Sequence, residues 1–169
     1  MGMTAVAATP QVRPVEREDR DRIHSIVVAT GHFSQIEADT AMELVDASLA
    51  GGEASGYLTY VLETPPGTVH GYVCVGPTPL TEGTFDLYWV AVDPAAQGRG
   101  YGRRLVATAE EEVRRRNGRL VLIETSSQEI YRPTVGFYES AGYRLVARIP
   151  NFYRPGDDKL VFVRDLVPI

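Results

Sequence analysis

Glycine stands at alternate positions, Gly98, Gly100 and Gly102, in the segment PAAQGRGYGRRL, directly ahead of a run that otherwise reads as a strong helix. Inside a helix each glycine costs roughly 0.8–1.0 kcal/mol, so glycines loaded at a helix entrance serve another purpose. The apolar run FDLYWVAVD precedes them, which makes the order strand, glycine-rich turn, helix. At such a helix start several backbone N–H groups lack intrahelical acceptors and the helix dipole is positive. Removing Cβ atoms lets the turn reach φ > 0 and lets a phosphate approach the amides. Arg99, Arg103 and Arg104 add charge beside the same turn. On the loop alone, a glycine-rich turn without any ligand remains the alternative.

The rest of the chain narrows the setting. Its 169 residues, 44% hydrophobic, suffice for one well-buried core, since domains cluster near ~100–150 residues. A frayed tail is expected over residues 1–10 and a single domain over 11–169. Net charge is −5 and Lys159 is the only lysine, so no polybasic tract marks a nucleic-acid or membrane footprint. The start lacks a cationic segment followed by a long apolar one, Val6 stands where a myristoylation signal needs Ser or Thr, and no segment approaches ~18 apolar residues. A soluble, cytoplasmic protein is the expectation. Cys74, alone, forms no internal disulfide and reads as a small buried strand residue; His24, His32 and His70 lack the spacing of a metal site.

Periodicity predicts a short strand at Val12–Val15 and a helix burying Ile23, Ile26 and Val27. A second helix, capped by Ser34 and stopped at Gly51–Gly52, offers Ile36, Met42, Leu44, Val45 and Leu49 to the core. Strands over 57–63, 69–76 and 85–93, separated by TPPG and PTPLTEG, form an antiparallel meander. The helix after the glycines buries Leu105, Ala109 and Val113, carries Glu110, Glu111 and Glu112 on a solvated charged face, and stops at Asn117–Gly118. The run RLVLIETS (119–126) reads as a strand buried on both faces, parallel to its predecessor across that helix. A helix over 131–141 and strands over 143–149 and 159–166, connected by PNFYRPGDD, complete the chain.

Three phosphate-binding patterns compete for the turn. A dinucleotide fingerprint needs G-x-G-x-x-G, whereas the spacing here is G-x-G-x-G; a P-loop needs a lysine, and none is near. The third pattern is Gln97-x-x-Gly100-x-Gly102. With it, LYWVAVDPAAQGRGYGRRL (87–105) resembles the acyl-coenzyme A binding segment of the GNAT superfamily of N-acetyltransferases, and VGFYESAGYRL (135–145) resembles that family's second signature. The order of strands and helices over residues 11–166 agrees with the same family.

The resemblance implies an α+β, α/β/α-layered GNAT fold: a mixed, mostly antiparallel sheet of about seven strands, a β-bulge or splay between strands 4 and 5, and about four flanking helices. It implies acetyl-CoA as co-substrate and no metal. Main-chain groups of Val90 and Val92 would meet the pantetheine arm, and amides of Gln97, Gly98, Arg99, Gly100, Tyr101, Gly102 and Arg103 the pyrophosphate. Tyr138 matches the tyrosine that meets the cofactor's sulfur. One departure is Tyr131, which stands where the family often has an asparagine that contacts the pantetheine.

Acetyl transfer needs a neutral amine, an oxyanion donor and a proton for the departing thiolate. A phenol of pKa about 10 stays protonated beside a thiol that titrates near about 8.5, which suits Tyr138. Val90 N–H matches the oxyanion donor. Glu124, in LIETS, resembles the base of ribosomal-protein N-terminal acetyltransferases, with structural hydrogen bonding as its alternative; Asp86 and Tyr88 are rivals. Deprotonating an α-amine at pH 7 costs about 1.4 kcal/mol and a lysine amine about 4.6, which favours α-amines when the base is uncertain. NFYRPGDDKLVFV resembles the hairpin that overhangs the peptide in N-terminal acetyltransferases, with Tyr153 matching one of its tyrosines, although RPGDD is also an ordinary turn. The acceptor, a small-molecule or peptide amine, is expected between Phe33 in TGHFSQIEA and that hairpin. Glu37, Glu43 and Asp46 would attract a cation there if they point inward, and otherwise are solvated helix charges. A homodimer is implied only by the family's habit. An inert acyl-CoA-binding module and a nucleotide-binding regulator are the competing function classes.

Overall fold

In a computed structural model, which describes residues 9–167, the tail expected over residues 1–10 falls largely on residues 1–8, outside the described residues. The elements run β1 (Gln11–Pro14), α1 (Arg20–Ala29), α2 (Gln35–Gly51), β2 (Leu58–Thr64), β3 (Thr68–Pro77), β4 (Thr84–Val92), α3 (Tyr101–Arg115), β5 (Leu120–Ser126), α4 (Arg132–Ser140), β6 (Arg144–Arg154) and β7 (Asp157–Asp165). Their strands form a seven-stranded sheet in the order β1-β2-β3-β4-β5-β7-β6, antiparallel except for β4 beside β5. The expected layered α+β architecture is thus present.

Two cores cover the two faces. On one, Ile23, Ile26 and Val27 of α1 and Ala38, Met42 and Val45 of α2 bury Val61, Tyr72 and Cys74 of the sheet. On the other, Leu105, Val106, Ala109 and Val113 of α3 and Tyr138 of α4 pack on Leu62, Val73, Phe85, Ile123 and Phe162. Ser34 caps α2 as its sequence suggests, accepting from Glu37 N–H while Glu37 accepts from Ser34 N–H at 2.7 Å. Ile36 departs from expectation and is 78% exposed. It lies in the first turn of α2, ahead of Ala38, the first residue of that helix to be buried in the sheet-side core.

The β3–β4 ladder pairs Cys74 with Trp89 and Val75 with Leu87, which leaves Tyr88 as the extra residue of a bulge. Its consequence is a change of parity. Phe85 and Leu87 face the α3 core, and after the bulge Val90 and Val92 face it, while Tyr88, Trp89 and Ala91 face the α1–α2 side. Beyond the bulge β4 also leaves β5: the parallel pairing covers only Thr84–Asp86 with Leu120–Leu122. Bulge and splay are therefore separate features, the first in the β3–β4 ladder and the second between β4 and β5.

Two further readings are corrected. The stretch PNFYRPGDD does not connect strands as a loop; β6 runs on to Arg154 and turns tightly into β7. Pro150 is tolerated because β6 is an edge strand. Asn151 bulges at φ 56°, its N–H donating to Asp158 at 2.8 Å and its side-chain oxygen accepting from Gly156 N–H at 2.8 Å. The charged face of α3 is not wholly solvated either. Glu110, 4% exposed, accepts from Tyr143 Oη and from Arg164, each at 3.0 Å.

Candidate functional site

Where β4 and β5 part, a cleft of about 650 Å³ opens. Its floor is β4 from Tyr88 to Val92, its opposite wall is Glu124–Ser126 of β5 with Thr134 and Tyr138 of α4, and the α1–α2 loop and the β6–β7 hairpin flank it. Because β4 has no β5 partner beyond Asp86, the cleft side of that backbone is free to pair with an extended amide-bearing chain, as one more strand would.

At one end the cleft meets the glycine turn through Gln97, whose side-chain amide donates to Val92 O at 3.3 Å. Asp93 fixes the turn: its carboxylate accepts from Ala95 N–H at 2.9 Å and pairs with Arg22, and these two bonds hold it below the ordinary carboxylate range. Gly98 and Gly100 both sit at φ 78°, and a Cβ at either would touch nothing, so their need is conformational. Gly102 has a different reason, because a Cβ there would lie 3.3 Å from the Phe137 ring of α4. Among the described residues the amides of Gly98 through Arg103 have no backbone acceptor, and the first helical bond runs from Arg104 N–H to Gly100 O at 3.1 Å. A ring of unpaired N–H groups at a helix start, with space above the glycines, fits a diphosphate.

The arginines contribute less than expected. Arg103 donates to Ser140 O at 2.7 Å and so ties α3 to the end of α4, leaving its amide rather than its guanidinium for an anion. Tyr101 packs its ring on His70 at 5.5 Å. Arg99 is exposed beside the turn.

Tyr138 reaches the cleft from α4, braced by Phe137, Tyr143 and Phe162 at 5.6, 6.1 and 6.3 Å. The residue is 6% exposed, and burial pushes its phenol well above the ordinary value. Its proton is therefore retained throughout the physiological range. Glu124 also lines the cleft, but Lys159 Nζ lies 2.5 Å from its Oε2, a partner that the sequence does not suggest. Asp86 stands outside the cleft lining, its carboxylate accepting from Thr78 Oγ1 at 2.7 Å. Burial raises Asp86, and the nearby Glu124 adds to this. Tyr88 is in the lining, its phenol pushed up to about 12 by burial and by Asp86.

Strand splay, amide ring and phenol are the features implied by the resemblance of segments 87–105 and 135–145. The family model described as an acetyltransferase (GNAT) domain matches residues 55–145. The chain belongs to the GNAT acetyltransferase family. Among curated GNAT relatives it is 40% identical over 81 residues to blasticidin-S acetyltransferase of Streptomyces morookaense, covering 48% of this chain and 55% of that protein, about half its length. It is 33% identical over 116 residues to N-alpha-acetyltransferase RimI of Mycobacterium tuberculosis, covering 66% and 69%. A crystal structure from Desulfovibrio desulfuricans assigned to the GNAT family superposes with a TM-score of 0.90 at 42% identity, over 94% of this chain and 100% of that one. More distant GNAT structures share the fold, among them one from Salmonella typhimurium with acetyl-CoA as its cofactor, at 22% identity and a TM-score of 0.74 over 96% of each chain.

Seen within the GNAT fold, Phe33, Tyr88, Val90, Val92, Gln97, Glu124, Tyr138 and Tyr153 all border one cleft. Tyr131, the departure from the family pattern, lines it as well, and its phenol donates to His32 O at 3.1 Å, joining the α4 side to the α1–α2 loop. Of the helix acids, Glu37 lines the cleft, Asp46 is paired with Arg20 at 2.5 Å, and Glu43 stays on the exposed face of α2. His32 lies in the TGHFSQIEA segment expected to border the acceptor, whereas sequence reasoning missed Trp89, Gln128 and Asp157. Asp157 is the hardest to read: it sits in an apparent turn, RPGDD, yet it is buried, accepting from Ser126 Oγ and Gln128 Nε2, each at 2.5 Å. No helix among the described residues is long and apolar enough to cross a membrane.

Proposed function

We propose that the protein is an acetyl-CoA-dependent N-acetyltransferase that acetylates a primary amine of a small molecule or a peptide N-terminus by direct attack in a ternary complex. The observation that carries this reading is the unpaired amide ring from Gly98 to Arg103 at the end of a cleft that also presents a buried, protonated phenol. Acetyl-CoA, when bound, supplies an acyl thioester whose C–S bond is exchanged for the C–N bond of an amide. Main-chain groups of Val90 and Val92 would hold the pantetheine arm, and Val90 N–H would donate to the acyl oxygen. Tyr138 keeps its proton at Oη and would stabilise the departing thiolate by hydrogen-bond donation; the thiol titrates near about 8.5, below the phenol, so the thiolate takes its final proton from solvent, which receives the one that the amine gives up. The amine's proton leaves to water held by Glu124, which lines the cleft, whereas Asp86, its rival for that role, stands outside the lining. Tyr153, on the exposed hairpin, and Phe33, on the α1–α2 loop, flank the acceptor.

The names of the two curated relatives support an amine acceptor without choosing between an antibiotic and a protein N-terminus. The testing experiment is thiol release from acetyl-CoA across amino acids, polyamines, aminoglycosides and peptides. Release above background with at least one amine supports the reading, and Tyr138→Phe lowers kcat by roughly 10²-fold while coenzyme A affinity stays within a few-fold. An inert binding module would release no thiol with any amine, and unchanged turnover in Tyr138→Phe would remove that residue's role.

A further inference from the structure

The acceptor side of the cleft is built from aromatic faces held in fixed positions. Phe33 packs on Trp89 with ring centroids 5.1 Å apart and on Tyr131 at 6.5 Å, and His32 meets Tyr131 edge-on at 6.0 Å. The hydrogen bond from Tyr131 Oη to His32 O locks this arrangement between two loops that are far apart in sequence. The cleft wall here is therefore preorganised rather than adaptable.

Its charges are unevenly balanced. Glu124 has Lys159 at 2.5 Å, and Asp157 has Arg154 at 3.8 Å besides its two neutral donors. Glu37 lines the same cleft, and its only partner among the described residues is the neutral amide of Ser34. Glu37 and Asp157 both lie close enough to Tyr131 and Tyr153 to add to the effect of burial, which raises both phenols. Aromatic faces and a carboxylate without a counter-ion favour the same ligand chemistry: an ammonium or a guanidinium attracted to the ring quadrupoles and to the negative charge.

We propose that the acceptor carries, besides the amine that is acetylated, a second and permanently cationic group, which Glu37 and the Phe33–Trp89–Tyr131 wall hold. The proposal rests on the acetyltransferase reading for the identity of the reacting amine, and it adds what the enzyme recognises at a distance from it. The second cation stays charged while the first amine loses its proton to react. One site thus binds a charged molecule yet acetylates a neutral nitrogen.

Binding is the direct test, because it does not depend on turnover. With the protein saturated with coenzyme A, calorimetry compares agmatine, an amine bearing a guanidinium, with pentan-1-amine, which lacks the second charge. Agmatine is expected to bind about tenfold more tightly, with the advantage shrinking as salt rises. Glu37→Gln, which still accepts from Ser34 N–H, is expected to remove most of the advantage of agmatine over pentan-1-amine. Equal affinities, no binding of either amine, or an advantage that survives Glu37→Gln would overturn the proposal. Tight agmatine binding without acetyl transfer to any amine of the panel would instead support the cation pocket and sink the acetyltransferase reading.

Discussion

Gly100 shows how much one residue can be asked to do. It holds φ 78° at the start of α3, where a side chain would meet no atom. Gly100→Ala therefore incurs only the left-handed backbone penalty, about 1–2 kcal/mol, read as a lower denaturation midpoint at unchanged slope. Straightening that turn also rotates the neighbouring amides, so coenzyme A affinity falls with it. A variant as stable as the parent, with full affinity, would mean the turn does not need its left-handed residue. Gly102 obeys a packing rule instead, because of Phe137. The alternation of glycines in the sequence thus hides two unrelated causes, and only the conformational one is readable without the structure.

At the scale of elements, Glu110 is the buried polar link that joins α3 to the end of α4 and to β7. Its carboxylate binds Tyr143 Oη and Arg164, which also donates to Ala141 O at 2.5 Å. Removing it strands the arginine in a half-buried setting, and Glu110→Ala is expected to cost about 3 kcal/mol in urea unfolding; a loss below about 0.5 kcal/mol, the range of an ordinary surface substitution, would contradict this. Sequence periodicity could not single out Glu110, since Glu111 and Glu112 repeat its spacing to an arginine and both do pair, Glu111 with Arg115 on the surface and Glu112 with Arg116 in a part-buried position. The helices and strands themselves were legible because their apolar residues recur with the right period, as Ile23, Ile26 and Val27 do. The bulge at Tyr88 was not, because nothing in FDLYWVAVD marks where pairing slips. The cleft's hidden member, Asp157, was masked by turn-forming neighbours whose local preference says nothing about burial by β5 and the loop that follows it.

For the whole molecule, the ionisable groups define a pH window of stability. Asp93 is held low by Ala95 N–H and Arg22; Asp19 and Glu112 are pushed up by burial but pulled lower by Arg13 and Arg116. The stability these carboxylates contribute is present above their unfolded pKa near about 4 and is lost as pH falls through their folded values. The phenols of Tyr72, Tyr138 and Tyr143 are raised by burial, so their contribution is complete below about 10 and lost at higher pH. Burial and the nearby Arg22 hold His70 below its ordinary value, so its contribution is also lost as pH falls below about 6.5. Tm is thus expected to be level from about pH 7 to 9 and to fall on both sides; a Tm still level at pH ~3 and pH ~11 would show that these groups are not in the environments described. The proposed function depends, at this scale, on one arrangement, in which a bulged β4 leaves β5 and opens a cleft that ends on a ring of free amides. Calorimetric titration with acetyl-CoA tests it most directly. The account predicts saturable binding at roughly micromolar ligand, weakened by Gly100→Ala; the absence of saturable heat at millimolar acetyl-CoA would contradict it.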